Sequence, residues 1–204
     1  IMRFEAVICA AGGGTRMGKN KALCQLSSDE TFLSSIVSSI RSISHDAPIA
    51  VVIGAQAEEV KSIHRSLCDD PNLFWVENLS WQSTHMLDSL MLGLYALPRH
   101  CIALHWPVDC IGIAPADIAR LIEAPDAPFA VLSFQGTPGH PLRISANKAD
   151  WMRDNAASFQ SLKQIIHDDK RIFVESNTFA IVNCNDPNRL AQIHQLRDKT
   201  PTTT

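Results

Sequence analysis

The chain opens with an apolar run from Arg3 to Ala10, broken only by Glu5, that stops at three adjacent glycines, Gly12-Gly13-Gly14. A run of this kind predicts a strand buried on both faces. Phe32, Leu33, Ile36, Val37, Ile40 and Ile43 then recur at the spacing of one helical face. Pro48 to Gly54 is rich in β-branched residues and closes on glycine, as a short strand would. Ala57 to Leu67 predicts a helix with Val60, Ile63 and Leu67 inward, and Leu73 to Glu77 a third strand. Ser83 to Leu97 predicts a helix that ends before Pro98.

The second half continues the alternation. Cys101 to Trp106 predicts a strand leading into Pro107-Val108-Asp109, and Ala116 to Glu123 a short helix after Pro115, which suits a first helical turn. Phe129 to Ser133 reads as strand and Gly136-Thr137-Pro138-Gly139 as turn chemistry. Phe159 to His167 predicts a helix, Arg171 to Glu175 and Thr178 to Val182 strands, and Pro187 to Leu196 a closing helix. Strands alternating with helices imply an α/β architecture, a mainly parallel, Rossmann-like sheet with helices on both faces in a three-layer sandwich. We expect one domain over residues 1–198 and a frayed tail over 199–204. Ligands in such sheets gather beyond the carboxyl ends of the strands.

Composition narrows the classes. A net charge of −3 over 204 residues gives no basic footprint for nucleic acid, so any anion must meet a local positive cluster. The six cysteines form no C-x-x-C pair, and Cys9, Cys101 and Cys110 lie in apolar stretches, where a free thiol behaves as a small hydrophobe. That pattern suits a reducing compartment. The longest apolar stretches are strand-sized, so the expectation is a cytoplasmic protein without membrane contact.

The cluster lies just after the first strand, in Cys9-Ala10-Ala11-Gly12-Gly13-Gly14-Thr15-Arg16-Met17-Gly18-Lys19-Asn20-Lys21. Adjacent glycines let backbone N–H groups converge on an anion without side-chain obstruction. Arg16 adds a planar fork for phosphate and Lys21 a mobile point charge. A dinucleotide-binding G-x-G-x-x-G fails, because Met17 stands at the third glycine position. A P-loop G-x-x-x-x-G-K-[ST] is met by Gly13, Gly18 and Lys19 but not at Asn20, where the Mg²⁺-binding hydroxyl should stand. A plain glycine turn with solvated basic residues is the remaining local reading.

The pattern A-A-G-x-x-x-R-M-G-x-x-K, carried by Ala10, Ala11, Gly12, Arg16, Met17, Gly18 and Lys21, resembles the signature of the molybdenum-cofactor nucleotidyltransferases, and Ala11 favours their cytidylyltransferase branch. Four further segments are similar to that family's landmarks in the same order: Asn78-Leu79-Ser80-Trp81 with Met86 to Leu90, Pro107-Val108-Asp109, Gly139-His140-Pro141, and Asn183-Cys184-Asn185-Asp186-Pro187.

The resemblance implies a glycosyltransferase-A-like nucleotidyltransferase fold and transfer of a nucleoside monophosphate, with CTP favoured, onto a phosphorylated acceptor such as molybdopterin. It implies Arg16, Lys21 and Asp109 as catalytic residues, and Mg²⁺ held by Asp109 and Asn185. Nucleotide binding falls to Ala10, Ala11, Gly12, Gly13, Gly14, Arg16, Lys21, Asn78 and Ser89, and acceptor binding to Gly139, His140 and Pro141. The expected partners are these two small molecules, in a monomer or weak homo-oligomer.

The chain departs from the pattern at His85, at Ile111, at Asn185 and over Ser27 to Glu30. A sugar- or alditol-phosphate nucleotidyltransferase and a non-catalytic nucleotide-binding protein are the alternatives.

Overall fold

A computed structural model describes residues 3–14, 17–167, 169–176 and 183–197. The first strand, β1 (Phe4–Ala10), is buried along its whole length. Its side chains alternate between two cores: Phe4, Ala6, Ile8 and Ala10 enter one, Val7 and Cys9 the other. A parallel strand sandwiched on both faces requires this, and it explains the near-continuous apolar run.

Helix α1 (Phe32–Ile43) buries Phe32, Leu33, Ile36, Val37 and Ile40, the face that the spacing predicts. Its start is fixed by Thr31, whose hydroxyl accepts from the Ser34 N–H at 3.1 Å. β2 (Ile49–Ile53) follows, fully buried. The expected helix 57–67 is broken into α2 (Ala57–Ile63) and α3 (Arg65–Cys68). The break falls at His64, which turns inward: its Nδ1 lies 2.7 Å from the Val60 carbonyl and its Nε2 2.7 Å from the Thr31 hydroxyl.

β3 (Leu73–Glu77) matches its prediction. Helix α4 (Met86–Ala96) begins three residues later than expected. Residues 80–84 form a turn in which the Ser83 N–H donates to the Ser80 carbonyl, and the Asp88 carboxylate caps the helix from the His85 N–H. Gly93 lets α4 press onto the sheet, since a Cβ there would lie 2.3 Å from Val7 Cγ1.

β4 (Ile102–Pro107), α5 (Pro115–Ile122) and β5 (Phe129–Phe134) complete the predicted alternation. The expected turn at 136–139 is then corrected. The turn itself is Gln135-Gly136, with φ of 50° and 78°, and Thr137–Ile144 is a full strand, β6. Helix α6 (Ala146–Asn155) follows, which the hydrophobic pattern passes over; Ser145 caps it from the Lys148 N–H. Next come α7 (Leu162–His167), shorter than predicted, β7 (Arg171–Glu175) and α8 (Pro187–Arg197). The expected strand 178–182 and the tail 199–204 lie outside the described residues.

The seven described strands form one sheet in the order β3-β2-β1-β4-β6-β5-β7. All neighbours are parallel except at β6, which runs antiparallel to both β4 and β5. One face is covered by α1, α2, α5 and α8, the other by α4, α6 and α7. The architecture is thus the predicted α/β sandwich, with one reversed strand. Chain order changes direction beside β1: β2 and β3 extend to one side and β4 to the other. That switch point opens a crevice at the carboxyl ends of β1 and β4.

Candidate active site

The crevice holds a cavity of about 350 Å³. Cys9 and Ala10 at the end of β1, Pro107 to Asp109 at the end of β4, and Gly12 to Gly14 line it, with Lys21, Trp81 and Met86. The glycines have separate reasons. Gly14 has φ +65° and a Cβ there would sit 1.9 Å from the Lys19 carbonyl oxygen, so only glycine fits. A Cβ at Gly12 would meet nothing within 4 Å, leaving its backbone open to a ligand. Gly13 lies under the Trp81 ring, which also presses on Gly54. Trp81 is therefore both a packing residue and a wall of the cavity.

Asn20 positions the end of the loop. Fully buried, it donates to the Ala55 carbonyl at 2.7 Å and accepts from the Ala22 N–H at 3.0 Å, starting a single 3-10 turn over Lys21–Leu23. The P-loop reading gives this position to a metal-binding hydroxyl; here an amide fills it and serves the loop.

Lys21 is thereby aimed across the crevice. Its Nζ donates at 2.6 Å to Asp109 Oδ2 and at 2.6 Å to Asn185 Oδ1. Residues 88 and 164 positions away in sequence thus meet on one ammonium. The Cys184 N–H donates to the Asp109 carbonyl at 2.7 Å, which fixes Asn185 beside Asp109. The second oxygen of Asp109, Oδ1, is buried and has no hydrogen-bond partner among the described residues. A buried, unpaired carboxylate oxygen next to an amide oxygen, with a cation already seated between the two side chains, suits a hard divalent ion. No group of three or more His, Cys, Asp or Glu side chains among the described residues offers a metal site of its own. An ion held here would take most of its ligands from water and phosphate, as Mg²⁺ ordinarily does.

The other sequence candidates separate. Ala11 is buried and its carbonyl accepts from the Ala55 N–H at 3.0 Å. Asn78 and Ser89 come together, but on each other: the Asn78 amide donates to Ser89 Oγ at 3.3 Å and to Thr84 Oγ1 at 2.8 Å. Both are buried, outside the cavity lining, and they tie the turn 78–84 to α4. Ile111, one departure from the pattern, is wholly buried in the core. Arg16 lies outside the described residues.

A second cavity of about 550 Å³ adjoins the first, and Met86 and Pro107 line both. Its floor is the sheet itself, where His105, Leu142 and Val131 stand side by side in register on β4, β6 and β5. Gly139 and His140 line it, whereas Pro141 is buried. Burial pushes the His105 imidazole down to about 3, with His140 adding to the shift, and pushes the Cys9 thiol beside it up to about 12. His140 is also held below its ordinary value by burial, which outweighs the opposing pull of Asp109. The cluster is therefore neutral at pH 7. His85, another departure, stands at the N-cap of α4 and lines this cavity, as do Leu162, Lys163, Arg171 and Asn183. No sequence motif marks Lys163 or Arg171; only the fold brings them here.

A glycine-lined crevice at the switch point of an α/β sheet, faced by Asp109 and Lys21, is where such proteins bind phosphorylated ligands. The chain belongs to the MobA-like NTP transferase domain family, whose model matches residues 6–172. It is accordingly a nucleotidyltransferase. Among solved structures it is similar to a nucleotidyl transferase from Methanothermobacter thermautotrophicus, at 23% identity and a TM-score of 0.78, over 96% of this chain and 99% of that one. It is also similar to a Mycobacterium tuberculosis protein solved as a complex with manganese, at 16% identity and a TM-score of 0.71, over 95% and 99% of the two chains. A third is 4-diphosphocytidyl-2C-methyl-D-erythritol synthase from Anaerococcus prevotii, at 14% identity and a TM-score of 0.75, over 97% of each chain. Sequence comparison with curated proteins gives no match. No described helix is long and apolar enough to cross a membrane.

Proposed function

We propose that the chain transfers CMP from CTP to a phosphorylated acceptor such as molybdopterin, with Mg²⁺, and releases pyrophosphate. The observation that carries this reading is the meeting of Lys21, Asp109 and Asn185 at the mouth of the glycine-lined cavity. The triphosphate lies along the backbone of Gly12 to Gly14, where N–H groups face it without side chains in the way. Arg16 and Lys21 neutralise the phosphates and stabilise the departing pyrophosphate. Asp109 and Asn185 would hold Mg²⁺, which would supply charge neutralisation for the phosphates.

An oxygen of the acceptor's phosphate attacks the α-phosphorus in line; one P–O bond forms as the bond to pyrophosphate breaks. A phosphate monoester is largely dianionic at pH 7, so no strong base is needed. The neutral His105–His140 pair and the lack of any described triad agree with that. The adjoining cavity, reached past Met86 and Pro107, takes the acceptor. The cytidyl and acceptor assignments rest on the motif resemblance. The manganese complex on the same fold supports divalent-metal use, and the erythritol synthase keeps an alditol phosphate as the second reading.

Pyrophosphate release, assayed with CTP, GTP, UTP and ATP against a panel of phosphorylated acceptors with and without Mg²⁺, tests the proposal. The expected result is Mg²⁺-dependent pyrophosphate with CTP. It should fall by two to three orders of magnitude in Asp109→Asn with the fold retained by circular dichroism, the size of loss typical when one preorganised electrostatic group is removed (~10²–10³). Orthophosphate release without acceptor, or wild-type turnover in Asp109→Asn, contradicts it.

A further inference from the structure

The strand order leaves β7 at one edge of the described sheet and β3 at the other. An edge strand presents unpaired N–H and C=O groups, which native chains blunt with lysine, proline or a bulge. β7 carries neither lysine nor proline. Its backbone direction is fixed at its end, where the Ser176 N–H donates inward to the Ser133 carbonyl at 2.7 Å. Direction alternates from residue to residue, so Ile172 and Val174 also turn their polar groups to β5. Those of Arg171, Phe173 and Glu175 then point out of the sheet, and no turn or loop among the described residues caps them.

The side chains of the same three residues share one face, in register with Phe129, Val131 and Ser133 of β5. Arg171 and Glu175 are exposed, and Phe173 leaves a large apolar ring 51% exposed between them. The Arg171 guanidinium lies 5.1 Å from the centroid of that ring and has no ion-pair partner among the described residues. Glu175 accepts from Ser133 Oγ on one carboxylate oxygen and from the Gln135 N–H on the other, both at 2.7 Å, and each oxygen keeps a lone pair for another donor.

The order cation, ring, carboxylate is complementary to itself when reversed. We propose that β7 pairs with β7 of a second copy of this chain, antiparallel about Phe173, so that the two sheets run on as one. Phe173 then stands opposite the partner's Phe173, and Arg171 opposite the partner's Glu175. Each such pair exchanges both backbone hydrogen bonds, as the outward direction of these groups requires. A two-fold pairing of this kind closes on itself and stops at the dimer. β3 offers no equivalent: reversed about Trp75 it sets Leu73 against Glu77, and Glu77 is already joined to Lys61. Because β7 is three strands from β4, the glycine-lined cavity stays open in the dimer, and the proposal stands or falls apart from the transferase reading.

Sedimentation velocity on the full chain, from roughly 10 μM to 1 mM, should show a monomer passing into a dimer. Arg171→Glu sets like charges at both ends of the pairing and should raise the dissociation constant about tenfold or more, as should Glu175→Arg. Mixed in equal amounts, the two variants regain both opposite-charge pairs and should associate to within about threefold of the wild type. Register is read by cross-linking in a Cys68→Ser background, which removes the exposed thiol. Phe173→Cys should then give a reducible dimer with oxidised glutathione, because opposed Cα atoms lie about 5.5 Å apart. Arg171→Cys, whose two copies lie at opposite ends of the pairing, should not. A chain that stays monomeric throughout, a dimer indifferent to Arg171→Glu, or Arg171→Cys cross-linking as readily as Phe173→Cys overturns the proposal.

Discussion

Replacing Lys21 with methionine keeps the unbranched stem to its fourth atom and removes the ammonium that joins Asp109 to Asn185. Two charge-assisted hydrogen bonds of 2.6 Å are lost. Each such bond contributes about 1.5–3 kcal/mol when its partners are held from water. The side chains of Lys21 and Asp109 are 18% and 9% exposed, so water recovers part of that. The expected net loss is about 2–3 kcal/mol, a fall in melting temperature of about 4–12 °C for a chain of this size. The loss should be selective in its cure. With the ammonium gone, Asp109 and Asn185 face each other across a cation-sized gap, so millimolar Mn²⁺ should raise the melting temperature of the variant by several degrees more than that of the wild type. Thermal unfolding with and without Mn²⁺ reads both effects. A variant that melts with the wild type, or gains no more from the metal, refutes the view that the lysine and a divalent ion compete for one place.

Other outcomes follow from geometry away from that trio. Gly14→Ala forces a left-handed backbone on a residue with a side chain, at about 1–2 kcal/mol, and drives its Cβ into the Lys19 carbonyl. Calorimetry should show triphosphate affinity falling at least tenfold, whereas Gly12→Ala, with open space around it, should keep its fold and lose affinity by obstructing the ligand alone. Glu5 is buried against Arg153 Nη2 at 2.7 Å, and burial raises its carboxyl from 4.5 to about 7, with Arg153 opposing. Between those values the folded chain keeps a proton that the unfolded chain releases, so this group's contribution to stability must decline as pH rises from 4.5 to 7. Denaturant titrations should show Glu5→Gln flattening that decline by about 2 kcal/mol; parallel curves for the two proteins would contradict the burial argument.

The sequence is most legible where short-range pattern and final environment coincide. β1, α1 and β3 stand almost where their side-chain spacing puts them, because a doubly covered strand or one-sided helix leaves that pattern directly. β6 was hidden because Pro138, Gly139 and Pro141 weigh against a strand, and its pairing with β4 and β5 overrides them. The break in the helix over 57–67 is not legible, because nothing in its spacing reveals that His64 is pinned to Thr31 from another element. Within the site, the glycine loop could be read from residues alone. The joining of Lys21, Asp109 and Asn185 could be anticipated only through family resemblance, and the link between Asn78 and Ser89, both candidates for the nucleotide, appears only in the fold. Lys163 and Arg171 acquire meaning only from tertiary placement.

The one reversed strand has a further consequence. The glycine-lined cavity is built at the ends of β1 and β4 with Lys21, Trp81 and Met86, whereas the floor of the neighbouring cavity is completed by the β5–β6 hairpin and its far rim by α7 and β7. The two halves touch at Met86 and Pro107. On the proposed division of donor and acceptor between the two cavities, grafting residues 129–176 between relatives would change the acceptor while leaving the donor site in place.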